Sequence, residues 1–182
     1  MKQKGFTIVE LISMLILLTL LSTIVIQKTI SYKTQARINA LKNIKSEFQV
    51  MLDITKVKAI LNINKIENSS HNLNKILAGY IINNGDKIYI YKNTYHPDFT
   101  YKTYGKNMDE KIIENINKVI NIDIKPMNAS NYNKSSYLLF TYGEHDIFIV
   151  PNSKNAFSDI NKCSIKYSGR NENALLMKTD GC

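Results

Sequence analysis

Lys4-Gly5-Phe6-Thr7-Ile8-Val9-Glu10-Leu11-Ile12 opens an apolar run that continues to Ile26. Within residues 6–26 the only charge is Glu10, and the only neutral polar residues are Thr7, Ser13, Thr19, Ser22 and Thr23. At ~1.5 Å per residue the run spans ~30 Å, the thickness of a bilayer's hydrocarbon core. In lipid the backbone must satisfy its own hydrogen bonds, so a helix is expected. Two features set the stretch apart from an ordinary anchor. A short basic leader, residues 1–5, ends in Gly5, and a carboxylate stands one helical turn inside the run.

Behind the run, residues 27–62 contain neither Pro nor Gly. Apolar residues recur at Ile38, Leu41, Ile44, Phe48, Met51 and Leu52 in steps of three and four. Lys42, Asn43, Glu47 and Gln49 fill the other face, which predicts an amphipathic continuation of the same helix with its stripe in a core. Residues 63–78 read as a loop. Beyond it, 80–82 and 87–91 flank Asn83-Asn84-Gly85-Asp86, a hairpin signal. His96-Pro97-Asp98 predicts a turn and 99–104 a further strand. Residues 109–121 predict a short amphipathic helix with Asn107 or Asp109 as its cap. After a loop over 126–134, strands at 137–142 and 147–150 flank Gly143-Glu144-His145-Asp146, and two weaker strands follow at 164–167 and 175–178. One long helix followed by antiparallel hairpins is an α+β pattern.

The opening residues resemble the prepilin signal of type IV pilins and of type II secretion pseudopilins. That signal is a basic leader, Gly, Phe, three mostly apolar positions and Glu; here it reads Lys2, Lys4, Gly5, Phe6, Thr7, Ile8, Val9, Glu10. The likeness in letters covers only the leader and the apolar run; beyond them it is one of layout. The resemblance implies a leader at 1–5, a transmembrane and filament-core helix at 6–26, its amphipathic continuation at 27–62, and a globular head at 63–182. The head's antiparallel sheet would wrap the upper part of the helical spine. A prepilin peptidase would cut after Gly5 and methylate the amine of Phe6. The formal charge of +9 would then fall by the two lysines of the leader. The precursor would be a single-pass protein of the bacterial inner membrane with its head outside the cytoplasm. The inner-membrane assembly machinery would then move it into an extracellular pilus or a periplasmic pseudopilus. Glu10 would meet the Phe6 amine of a neighbouring subunit. The plain alternative is a tolerated interfacial carboxylate, since a central charge costs ~3 kcal/mol on insertion scales and less near the edge. Many pilins break the helix with Gly or Pro near the end of the apolar run. This chain interrupts it only with Thr19, Ser22, Thr23 and Gln27, which weakens the expectation of unwinding there.

The chain has two cysteines, Cys163 and Cys182, the latter at its last position. An even count in an exported chain favours a disulfide, and the resemblance adds to it, since many pilins close a C-terminal loop with such a pair. Two unpaired thiols are the alternative. The positive-inside rule gives no orientation by itself, because Lys2 and Lys4 lie on one side of the run and Lys28, Lys33 and Arg37 on the other.

Catalytic signals are thin. His71, His96 and His145 are scattered and form no metal spacing with the cysteines. Asp159 and Asp180 are too sparse for a calcium loop. No phosphate loop or nucleophile elbow occurs, so neither an enzyme, a metal nor a cofactor is expected. Three sequons, at Asn68, Asn128 and Asn133, are near chance in so Asn-rich a chain. The basic balance permits nucleic acid as a partner. Lys162, Lys166, Arg170 and Lys178 are the densest candidates, against the alternative of a solvated basic surface. Two functions follow. One is a structural pilus subunit whose partners are other pilin subunits, the peptidase and the membrane. The other is a minor pilin or type II secretion pseudopilin that primes the filament or displays a surface for adhesion or DNA.

Overall fold

The computed structural model describes residues 7–62, 77–101, 103, 107–127, 135–142, 146–153 and 156–182. A single helix, α1, runs over Ile8–Asn62. The chain divides into two compact units, one reaching Arg37 and the other Ile38–Cys182. Within the first, the helix leaves its apolar side chains exposed. Its hydroxyls turn back on the helix: Ser13 donates to Val9 O, Thr19 to Ile16 O, Ser22 to Leu18 O, Thr23 to Leu20 O and Thr29 to Val25 O. The polar residues that interrupt the run are thereby satisfied inside the helix, as an apolar solvent requires.

In the second unit the predicted stripe is buried. Leu41, Ile44, Phe48, Met51 and Leu52 join one core with the sheet and a second helix. The first hairpin pairs β1 (Leu77–Asn83) with β2 (Asp86–Tyr91). Its turn residues Asn84 and Gly85 have φ 50° and 91°, the two positive values that a tight hairpin needs and that Asn-Gly supplies. Ile81, Ile88 and Ile90 pack on Ala59 of α1. Leu77 and Ala78, expected in a loop, belong to β1; residues 63–76 lie outside the described ones.

Two expectations are corrected here. The segment expected as a strand over 99–104 forms a turn at its start. Asp98 Oδ1 accepts from Thr100 N at 3.0 Å and from Thr100 Oγ1 at 2.6 Å, and this side-chain turn replaces a ladder. The second helix, α2, covers Met108–Asn117 and stops short of 121. No side chain caps it: Asn107 is left-handed at φ 66°, and Asp109 Oδ1 instead accepts from Thr141 Oγ1 at 2.7 Å. Ile112, Ile113 and Ile116 are its buried face.

The main sheet has the order β3 (Ile124–Pro126), β4 (Tyr137–Tyr142), β5 (Asp146–Pro151), β6 (Ser164–Ser168) and β7 (Leu175–Lys178). It is antiparallel from β4 to β7. The short edge strand β3, of which only Pro126 falls in a segment with an expectation, the loop over 126–134, pairs with β4 in parallel. Proline is tolerated at its end because an edge strand need not donate there. Leu139, Ile147, Ile149, Ile165 and Tyr167 face α1, while Leu138 and Val150 face the other way. There they pack under Ala156 and Ile160, at and just beyond the one-turn helix α3 (Ala156–Asp159).

Phe48 is the largest side chain that α1 buries, 1% exposed, with its ring 6.5 Å from Phe99 and 6.1 Å from Tyr167. Phe48→Ala should lower unfolding free energy by ~3–5 kcal/mol. Val50→Ala, on the exposed side of the same helix, should change it by no more than ~0.5 kcal/mol. Chemical denaturation of the purified protein compares them.

Candidate functional site

The start of α1 is held by a reciprocal pair. Thr7 Oγ1 accepts from Glu10 N at 3.3 Å, while Glu10 Oε2 accepts from Thr7 N and from Thr7 Oγ1, each at 2.9 Å. Thr7 is thus the cap and Glu10 the third helical residue of a capping box, which satisfies donors that the helix end leaves open. The carboxylate expected to act only between subunits therefore also has a local partner. Thr7 is the residue that the sequence reading missed. Its signal was present as Thr-x-x-Glu ahead of an apolar run. Gly5 and Phe6, expected at the cleavage and assembly site, lie outside the described residues.

At the other end of the chain, Cys163 and Cys182 form a disulfide across a sequence separation of 19, with Cα atoms 4.8 Å apart. Gly181 N donates to Lys162 O at 3.1 Å, and the Lys162 stem lies so close to Gly181 that a side chain there would meet it. The bridge thereby ties the last residues to the start of β6. By loop entropy it contributes ~3 kcal/mol. Cys182→Ala should lower stability by about that much, and a reductant should have the same effect on the wild type and none on the variant.

The four basic candidates do not form one patch. Lys166 and Lys178 stand on the outer face of the main sheet, since Lys178 pairs with Ser164 two residues along β6 from Lys166. Lys166 is held by Asp146 Oδ2 at 2.7 Å. Lys162 precedes β6 at the disulfide end. Arg170 follows it at the opposite end, 6.0 Å from the ring of Tyr91.

Of the histidines, His71 and His145 fall outside the described residues. His96 is buried, and its Nδ1 has no hydrogen-bond partner. Among the described residues no cluster of three or more His, Cys, Asp or Glu is placed to hold a metal. A groove of about 540 Å³ lies between α1 and the first hairpin, lined by Glu47, Val50, Ile54, Lys58, Ile81 and Val119. One wall is braced: Lys58 Nζ donates to Asn83 Oδ1 at 2.8 Å, and Asn83 Nδ2 donates to Lys118 O at 2.9 Å.

His96 gives the head a pH dependence. Burial first, and then the charge of Lys56, hold its imidazole below its ordinary value of 6.5. The folded state therefore keeps it neutral where the unfolded chain takes up a proton. Stability is fully present above about pH 6.5 and is lost as pH falls below it. Burial pushes the Asp109 carboxyl up, which works in the opposite direction in the carboxylate range, so the histidine effect is read above about pH 5. Denaturation midpoints between about pH 7.5 and 5 should fall for the wild type and stay flatter for His96→Gln.

No protein-family model, no curated protein and no solved structure matches this chain.

Proposed function

We propose that the chain is a structural subunit of a type IV pilus-like filament, made as a membrane precursor, cut after Gly5 and assembled through its N-terminal helix. The observation that carries this reading is α1. In its first part Leu11, Leu15, Leu18 and Leu21 are each more than half exposed, around a lone carboxylate in the first turn. Apolar surface left in water costs ~25 cal/mol per Å². Such a helix calls for lipid before assembly and for neighbouring helices afterwards, and the same helix supplies the core of the head. The disulfide fits an oxidising compartment outside the cytoplasm.

A second reading is a minor pilin or type II secretion pseudopilin that primes the filament or displays a binding surface. The unbroken course of α1 from Ile8 to Asn62 favours it, because a helix with no breaking residue resists the unwinding that packing of a major subunit would use.

The capping box sharpens the test of Glu10. Glu10→Leu removes both the charge and the cap, whereas Glu10→Gln keeps a capping acceptor and removes only the charge. If the carboxylate pairs with a neighbour's Phe6 amine, either variant leaves that amine unpartnered in an apolar core, at ~3–5 kcal/mol per contact. Both variants should then reach the membrane, lose residues 1–5 and fail to enter filaments. Intact mass should give a chain starting at Phe6 with one added methyl. Wild-type filament yield from Glu10→Gln would reduce Glu10 to a cap, and filaments that retain residues 1–5 would refute the processing.

A further inference from the structure

The outer face of the main sheet carries a transverse row whose two phenylalanines, Phe140 and Phe148, are half-buried against the small cluster of Leu138, Val150, Ala156 and Ile160. Phe140 of β4 stands opposite Phe148 of β5, Phe148 opposite Lys166 of β6, and Lys166 opposite Leu176 of β7. Directly paired residues point to the same face, so the four form one line across the sheet. Phe157 of α3 meets Phe140 edge-on with centroids 5.9 Å apart, and Phe157 is 67% exposed. Tyr142, two residues along β4 from Phe140, is 69% exposed. Lys166 Nζ lies 5.7 Å from the centre of the Phe148 ring. Lys178 on β7 and Lys125 on β3 are exposed at the two rims of this face.

The chemistry of the face limits what covers it. A second copy of the same face would bring lysine rims together, which like-charge repulsion disfavours. A sugar polymer needs hydrogen-bonding side chains around the rings. Here Asp146 is held by Lys166, and Ser164 Oγ donates to Ile160 O at 2.5 Å. A duplex hides the faces of its bases and would reach only the lysines. A single strand offers both flat bases and phosphates, which is the pairing that aromatic platforms with basic rims take. The formal charge of +9 acts in the same direction.

We infer that this outer sheet face binds single-stranded nucleic acid, with bases stacked on Phe157, Phe140 and Tyr142 and phosphates held by Lys178 and Lys125. The site lies wholly within Ile38–Cys182 and depends on neither cleavage nor assembly, so it stands or falls separately from the filament reading.

The test uses the full-length protein in nanodiscs of zwitterionic lipid and fluorescence anisotropy of a labelled oligo(dT) of about 16 nucleotides, with a duplex of the same length beside it. The strand should bind at least about tenfold more tightly than the duplex. Phe157→Ala and Tyr142→Ala should each weaken strand binding about tenfold while leaving the duplex unchanged, and Phe157→Tyr should retain strand binding. Both residues are exposed, so denaturation midpoints should not move. With two phosphates engaged, affinity should fall about sevenfold between about 50 and 200 mM salt, and less steeply for Lys178→Gln. Equal binding of strand and duplex, unmoved by the ring variants, would overturn the inference in favour of charge alone. An absence of oligonucleotide binding would also overturn it. In that case, self-association or capture by anionic vesicles that Phe157→Ala abolishes would assign the face to a second copy or to lipid.

Discussion

The head hangs on one contact, the ring of Phe48 against Phe99 and Tyr167. Phe99 and Tyr167 lie 5.4 Å apart, so the three rings form a single cluster linking α1, the turn after the first hairpin and the middle of the main sheet. Tyr167 is fully buried, and burial holds its hydroxyl well above the usual phenol range. It therefore stays neutral and donates to Pro97 O at 2.5 Å. That bond fixes the turn that carries Phe99. Close by, Gly169 leaves room for the rings of Tyr91 and Tyr167, which a side chain there would strike. A buried hydroxyl without its acceptor would cost ~1–3 kcal/mol, so the polar bond and the aromatic packing reinforce each other.

The same helix answers to two solvents. From Leu41 onward its buried residues, Leu41, Ile44, Phe48, Met51, Leu52, Thr55 and Ala59, fall on one side at helical spacing, while Val50, Ile54, Val57 and Ile60 stay exposed on the other. Between Ile8 and Ile26 apolar residues occupy most positions and are exposed all round, a pattern that suits lipid or the inside of a helical assembly. At the start of that stretch Thr7 and Glu10 satisfy each other. A carboxylate in such a place is costly unless it is hydrogen-bonded. The capping box gives Glu10 partners within its own chain. An intermolecular role for Glu10 would therefore be an exchange of partners, and not the first satisfaction of an unpaired charge.

The two faces of the main sheet divide the labour of the head. The inner one, with Leu139, Ile149 and Ile165, is closed by α1 and α2. On the outer one, Ala156 and Ile160 close over Leu138 and Val150. Further along the same strands, Phe140, Phe148 and Leu176 belong to a face rimmed by lysines. A sheet of alternating side chains produces both faces from the same strands, so a surface with its own chemistry arises without disturbing the core.

The sequence by itself determined α1, because a run without Pro or Gly that passes from continuous to periodic apolar residues leaves no other regular structure. It determined the first hairpin through Asn84-Gly85, it marked the strands at 137–142 and 175–178 as short apolar runs set off by turn residues, and its even cysteine count favoured the bridge that the fold contains. Thr7 as the partner of Glu10 was equally legible, since a capping box is a local pattern. What only the tertiary structure decided depends on residues far apart in the chain. The parallel pairing of β3 rests on three residues whose partners are thirteen places on, and no local periodicity encodes that. The turn at 98–100 defeated a strand expectation because the Asp98 carboxylate outcompeted a ladder partner. The basic candidates separated because Lys162 precedes β6, Lys166 stands on it and Arg170 follows it. The row from Phe140 to Leu176 exists only through cross-strand register, which is set by how four strands pack on one helix and not by any one of them.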